Sequence, residues 1–279
     1  MLYVFTVATN IYINYLEYQI KTYKHLFPNI NKKFIWFTDD VNKCQELAQK
    51  YNYDIDVVKI TPLVYPFNTL FKTNYITDYS KTHSLKKDDI IIFIDADTIF
   101  VKRESRFWEK LLNDIKTFDC IFSISPWIFD NIHISEQDNY ICNIPLNFSK
   151  RNYIQDSFFI FKNGIMQEWQ IQYDYYLREY TLQKRLPIMQ DQTLLNYLIY
   201  KNQEKNNIKL AFYFVNYYKD TSLDSCELFD YNDVFINKTY CEGKTGALYT
   251  KNINCDNFFM LQKFNNSIKY NIRNTNNIL

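Results

Sequence analysis

The run Ile90-Ile91-Ile92-Phe93-Ile94 is apolar at every position and ends at once in Asp95-Ala96-Asp97. A strand with one face in water alternates apolar and polar side chains. Five apolar residues in succession therefore predict a strand covered on both faces, as in the middle of a parallel α/β sheet. Such sheets come from alternating strands and helices, and the chain before this run reads that way. Leu2 to Val7 and Phe34 to Phe37 predict strands. Between them Tyr12, Leu16, Ile20, Tyr23 and Phe27 recur at spacings of four, four, three and four, which places them on one apolar helix face. A second helix is expected from about Val41 to Lys50, a strand near Ile55 to Ile60, and a helical stretch from about Asn68 to Ser84. The expected fold class is α/β, one domain with a mostly parallel central sheet flanked by helices.

Open α/β sheets bind ligands beyond the carboxyl ends of their strands, where the loops diverge. Asp95 and Asp97 stand at such an end. In an extended Asp-x-Asp the outer carboxylates point to one side, about 7 Å apart, and can share one hydrated cation. Mg²⁺ and Mn²⁺ suit these oxygen ligands, with water and phosphate oxygens completing the shell. The plainer alternative is two solvated residues closing a strand.

Composition removes several classes. With 279 residues and 47% apolar content the chain can bury a continuous core. Its 32 basic and 31 acidic residues leave a net charge of +1, so no overall field draws in nucleic acid, and no nucleic-acid partner is expected. The 3 glycines form no Gly-x-Gly, which excludes P-loop and dinucleotide fingerprints. The cysteines form no CxxC pair and read as small buried residues in a reduced compartment. MLYVFTVATN reads as a first strand rather than a signal segment, and no run approaches the roughly 18 apolar residues of a membrane span. A soluble, cytoplasmic protein is expected.

Four segments, TVATNIYINYLEYQIKTYKHLF with FIWFTDD, LFKTNYI ahead of IIFIDADTIF, Ile144-Pro145 with YIQDSFFIF from Tyr153, and QDQTLLN from Gln190 to Asn196, together resemble the family six glycosyltransferases of the GT-A type. These are the ABO blood-group type of retaining alpha-1,3-galactosyl and N-acetylgalactosaminyl transferases. The resemblance implies a nucleotide-sugar-binding half over about residues 1–100, an acceptor-binding half over about 101–262 and a tail over about 263–279 that orders over the donor. It implies a nucleotide-sugar donor, UDP-linked, a glycan or other hydroxyl acceptor, and Mn²⁺ or Mg²⁺ on Asp95 and Asp97. Donor contacts would come from Val7, Ala8, Thr9, Tyr12, Lys72, Asp95, Ala96 and Asp97, from Gln155 and Ser157 at the sugar, and from Lys263 and Lys269 at the phosphates. Asp191 and Gln192 would face the anomeric carbon. Animal relatives carry a membrane anchor, so a bacterial or viral origin is expected.

The departures also inform. Gln192 stands where that family has Glu and Gln190 where it has His, so a covalent mechanism loses its best candidate and front-face attack with retention is expected. Asp-Gln-x-x-x-Asn is similar to family eight, whose enzymes also use a C-terminal His on the metal, whereas the histidines here are His25, His83 and His133. Bland readings stand beside the functional ones. Asp191 either caps a helix or touches the sugar, and Tyr12 either stacks on the base or begins the first helix. Asp39 and Asp40 suit a helix cap, and Lys263 and Lys269 an Asn-rich solvated tail. Trp169 falls in the helical stripe Met166, Trp169, Tyr173, Tyr176, Tyr180 and reads as core, while Trp127 is the candidate for stacking on an acceptor. Two other functions remain open: a haloacid-dehalogenase-like phosphatase, which also places Asp-x-Asp after a buried strand, and an inactive GT-A fold acting as a sugar-binding module.

Overall fold

A computed structural model describes residues 1–100, 105–124, 136–142, 154–211, 214–215 and 261–263; Trp127 and Lys269 lie outside them. In chain order the elements are β1 Leu2–Ala8, α1 Ile13–Thr22, β2 Lys32–Thr38, α2 Val41–Lys50, β3 Ile55–Lys59, α3 Phe67–Leu70, α4 Lys72–Thr82, β4 Ile90–Ile94, β5 Thr98–Phe100 and α5 Ser105–Thr117. They continue with β6 Cys120–Ile124, α6 Glu136–Cys142, β7 Ile154–Lys162, α7 Asn163–Leu182, α8 Gln190–Asn202, β8 Ile208–Ala211, β9 Phe214–Val215 and β10 Leu261–Lys263.

The fold is α/β. Seven strands form a mixed, mostly parallel sheet in the order β3-β2-β1-β4-β7-β6-β8, flanked by helices and compatible with a Rossmann-like fold. β1 pairs with β4, β2 with β3 and β6 with β8 in parallel, while β6 and β7 are antiparallel. From β1 the chain adds β2 and β3 outward on one side, then returns to place β4 on the other. β1 and β4 therefore flank a topological switch point. Every residue of β4 is buried, as its unbroken apolar run requires.

The chain divides into two compact units, each built from separate stretches: Met1–Phe5, Leu63–Phe93 and Leu112–Ala211 in the first, and Thr6–Pro62, Ile94–Leu111 and Phe212–Leu279 in the second. Aromatic rings dominate the core of the first, where Phe93 stacks on Phe159 at 4.9 Å and Trp169 meets Phe161 edge-on at 5.2 Å. In the second, Tyr23 stacks on Phe34 at 3.9 Å and contacts Trp36, Tyr53 and Phe100. Among the described residues no helix is long and apolar enough to cross a membrane.

Several local expectations meet the coordinates directly. α2 spans Val41–Lys50, and Asp40 caps it by accepting the Lys43 N–H at 3.1 Å. Trp169 is buried, with its indole N–H donating to Asn206 Oδ1 at 3.0 Å. Cys44, Cys120 and Cys142 are buried free thiols. Two expectations need correction. The stretch expected from Asn68 to Ser84 is two helices that break at Phe71. Tyr12 is exposed, whereas Leu16, Ile20, Tyr23 and Phe27 are buried. Asn10–Tyr12 form a 3-10 turn before α1, and three residues per turn rather than 3.6 swing Tyr12 off the apolar face.

Candidate functional site

Within the second unit, Asp95-Ala96-Asp97 leaves β4 as a turn, closed by the Thr98 N–H donating to Asp95 O at 3.1 Å. The extended Asp-x-Asp expected from the sequence does not occur. The reason is Gln19 of α1, whose side-chain amide donates to both Asp95 O at 2.8 Å and Thr98 O at 3.1 Å. Two carbonyls three residues apart converge on one amide only when the chain bends between them. The Gln19 oxygen is itself held, accepting from Thr6 Oγ1 at 3.1 Å and from the Tyr23 hydroxyl at 2.7 Å. Tyr23 in turn accepts the Trp36 indole N–H at 2.7 Å. Burial pushes the Tyr23 phenol well above its ordinary value, so it remains a hydrogen-bond donor. The turn thus rests on an unbroken chain of buried hydrogen bonds.

Asp97 is only 3% exposed and Ala96 is equally buried, while Asp95 is half-buried. At the end of β1, Ala8 and Thr9 are buried and Val7 is half-exposed. Asn10 follows with φ 54, and its N–H donates to both carboxylate oxygens of Asp39 at 3.0 and 3.3 Å. Asp39 therefore fixes the exit of β1. β10 pairs antiparallel with β5 and sets the backbone of Lys263 opposite Thr98, one residue beyond Asp97.

No group of three or more His, Cys, Asp or Glu gathers among the described residues. Two carboxylates are too few for an all-protein cage, but they fit Mg²⁺ or Mn²⁺, which keep waters and substrate phosphates in their shell. Gln19 had no motif to mark it. Its one signal is a lone amide among Leu16, Ile20 and Tyr23 on the buried helix face. Gln19→Leu strands two backbone carbonyls and two hydroxyls in the core, and a loss of about 2–4 kcal/mol in urea unfolding is expected. Stability unchanged from wild type would show that the amide does not hold the turn.

Within the first unit, the sequence expectations for Lys72 and Asp191 meet in one buried cluster. Lys72 opens α4 with its side chain 4% exposed, and its Nζ lies 2.7 Å from Asp156 Oδ2 and 2.5 Å from Asp191 Oδ2. The ammonium also sits over the Phe93 ring at 4.7 Å. Asp156, a residue the sequence reading passed over, reaches the cluster through a break in the β6–β7 ladder. Phe122 pairs with Phe159 and the next residue, Ser123, with Gln155, so the register skips from one side of Asp156–Phe158 to the other. A bulge of this kind re-aims side chains. Its only sequence signal is its place between Gln155 and Ser157; of these, Ser157 is buried.

Asp191 does not cap α8. Met189 holds the cap position, and its N–H donates to Thr193 Oγ1 at 3.0 Å, leaving Asp191 to face Lys72. Burial first, then the Asp156 carboxylate beside it, push the Asp191 carboxyl well above the usual carboxylate range, with Lys72 pulling the other way. Gln192 is half-buried, and its carbonyl accepts from Asn196 Nδ2 at 2.7 Å. Asn196 Oδ1 accepts the Ile154 N–H at 2.9 Å and so ties α8 to the start of β7.

The raised value of Asp191 carries a pH dependence. Its folded form binds a proton that the unfolded chain releases near the ordinary value of about 3.9, so stability is greatest below that pH and falls as pH rises toward the folded value. Asp191→Asn cannot titrate. Thermal midpoints measured upward from about pH 4 should fall less steeply in the variant than in wild type. Parallel profiles would remove Asp191 as the titrating group.

No family model matches the chain, and no curated protein matches it.

Proposed function

We propose that this chain is a glycosyltransferase of the GT-A type, moving a hexose or N-acetylhexosamine from a UDP-linked sugar to a hydroxyl of a glycan or other acceptor, with retention. The observation carrying this reading is the Asp95-Ala96-Asp97 turn, set at the carboxyl end of a buried central strand beside the switch point and clamped by Gln19. Clamping matters because charged groups stabilise a transition state best when they need no reorganisation. Asp95 and Asp97 would hold Mn²⁺ or Mg²⁺. When bound, the cation supplies Lewis-acid stabilisation of charge building on the departing diphosphate. Val7, Ala8 and Thr9 line the end of β1, and the exposed Tyr12 ring beside them suits stacking on the nucleotide base. The resemblance to family six supplies the donor class and the place of Lys263 near the phosphates.

In the first unit, Asp156, Asp191 and Gln192 offer hydrogen bonds of the kind sugar hydroxyls accept and donate. Asp191 is buried against the Lys72 ammonium, which draws on the same oxygen that would have to attack, and the Gln192 amide carries no charge with which to attack. Both features favour front-face attack over a covalent intermediate. The deciding experiment is release of nucleoside diphosphate from a panel of UDP-, GDP- and other nucleotide-sugars with Mn²⁺. Metal-dependent release from one donor supports the reading. Release of phosphate from simple esters, or nucleotide binding without turnover, replaces it with the phosphatase or the binding module.

A further inference from the structure

An ammonium has three N–H donors, and three oxygens meet the ammonium of Lys72. It donates to Asp156 O at 3.2 Å and to Asp156 Oδ2 at 2.7 Å, and it pairs with Asp191 Oδ2 at 2.5 Å. Two aromatic rings cover it as well: Nζ lies 4.7 Å from the centre of Phe93 and 6.0 Å from that of Phe159. The side chains of Lys72 and Asp191 are each 4% exposed and that of Asp156 13%. The stem is held as firmly as the head. Lys72 is the first residue of α4, and the break from α3 just ahead of it is fixed by the buried Tyr173 of α7, whose hydroxyl donates to Leu70 O at 2.9 Å. One nitrogen thus joins α4, β7 and α8.

The resemblance to family six implies a different task for Lys72, contact with the donor. A lysine that binds phosphate works as a compact point charge with a donor to spare, on a stem free to follow the ligand. Lys72 has neither. A diphosphate reaching its nitrogen would have to displace a carboxyl group, and two carboxyls against one ammonium leave no surplus positive charge to attract it. Exchanging the Asp191 pair for a phosphate would also leave a buried carboxyl without its cation, a strongly unfavourable step. What the geometry achieves instead is placement. Asp191 lies beside Gln192 in the first turn of α8, and Asp156 lies at the register slip of β7. The ammonium sets these two carboxyls, from separate elements, in one fixed arrangement.

We propose that Lys72 is a positioning residue: it holds Asp191, and Asp156 with it, in the arrangement that meets the hydroxyls of the donor sugar, and it does not touch the donor diphosphate. This inference rests on the glycosyltransferase reading. Two readouts test it: affinity for UDP with Mn²⁺ by calorimetric titration, and kcat for release of UDP from the donor that wild type turns over. Lys72→Arg keeps the charge, and a guanidinium serves a phosphate at least as well as an ammonium, but its planar fork does not fit three oxygens gathered round one nitrogen. Lys72→Met with Asp156→Asn removes one charge of each sign and keeps the packing. In both, kcat should fall by about a hundredfold, as for misplaced groups, while the dissociation constant of UDP stays within about twofold of wild type. Cooperative thermal unfolding of each variant confirms its fold. UDP affinity lowered by about tenfold in the methionine variant, with Lys72→Arg keeping both affinity and turnover, overturns the proposal and puts Lys72 on the phosphates. Affinity and kcat falling together in both variants overturn it too, since general disruption has that effect, and so does undiminished kcat. Wild type that binds no UDP, or turns over no nucleotide-sugar, removes the glycosyltransferase reading itself, and this role of Lys72 with it.

Discussion

Asp97→Asn is expected to lower metal-dependent release of nucleoside diphosphate by about a thousandfold, the equivalent of about 4 kcal/mol of lost transition-state stabilisation. The amide keeps the shape of the carboxylate, so the turn under it should persist; what disappears is the negative charge a hard cation requires. A second readout separates this outcome from an untested donor. UDP added with Mn²⁺ should raise the thermal midpoint of wild type, and UDP with chelator should not. The variant should show no metal-dependent increment. Full turnover or a full metal-dependent shift in Asp97→Asn removes the metal site from the proposal, whichever donor is tried.

The largest effect on stability is expected from Lys72→Met. Methionine fills similar volume and its sulfur suits the face of Phe93, so packing is largely kept. The substitution leaves Asp156 and Asp191 buried together without a cation, and breaking a buried ion pair from one side costs about 3–5 kcal/mol. Urea unfolding should show that loss most fully at alkaline pH, because at low pH the carboxyls take up protons and the penalty shrinks. Adding Asp156→Asn and Asp191→Asn to Lys72→Met should restore much of it. A single variant as stable as wild type would mean that the ammonium does not support the cluster.

What the sequence disclosed was local. Five apolar residues ending in two aspartates identify a buried strand and the point where it stops without reference to anything distant, and β4 follows. The same holds for α2, whose cap and apolar spacing lie within one short window, and for Trp169, whose stripe is one helix face. What escaped depends on partners far away in the chain. The acidic motif bends because an amide 76 residues earlier grips it, and no feature of Asp-Ala-Asp forecasts that. Asp156 enters the lysine cluster because β7 slips its register against β6, and a slip is a property of the pair rather than of either strand. The cap reading of Asp191 failed because the helix already begins at Gln190, which puts Asp191 inside its first turn, where it meets a cation 119 residues earlier, by 191 − 72.

The place of β4 in the sheet also governs how the chain can be made. Its neighbours are β1, synthesised before it, and β7, which begins at Ile154. A nascent chain that has just completed the acidic turn has one flank of its most apolar strand satisfied and the other bare. Unpaired apolar edges invite pairing with other chains, and long-range pairings of this kind form slowly. Fragments cut after the turn carry the motif without the strand that covers it, and insolubility in such fragments would reflect an unfinished sheet rather than a faulty site.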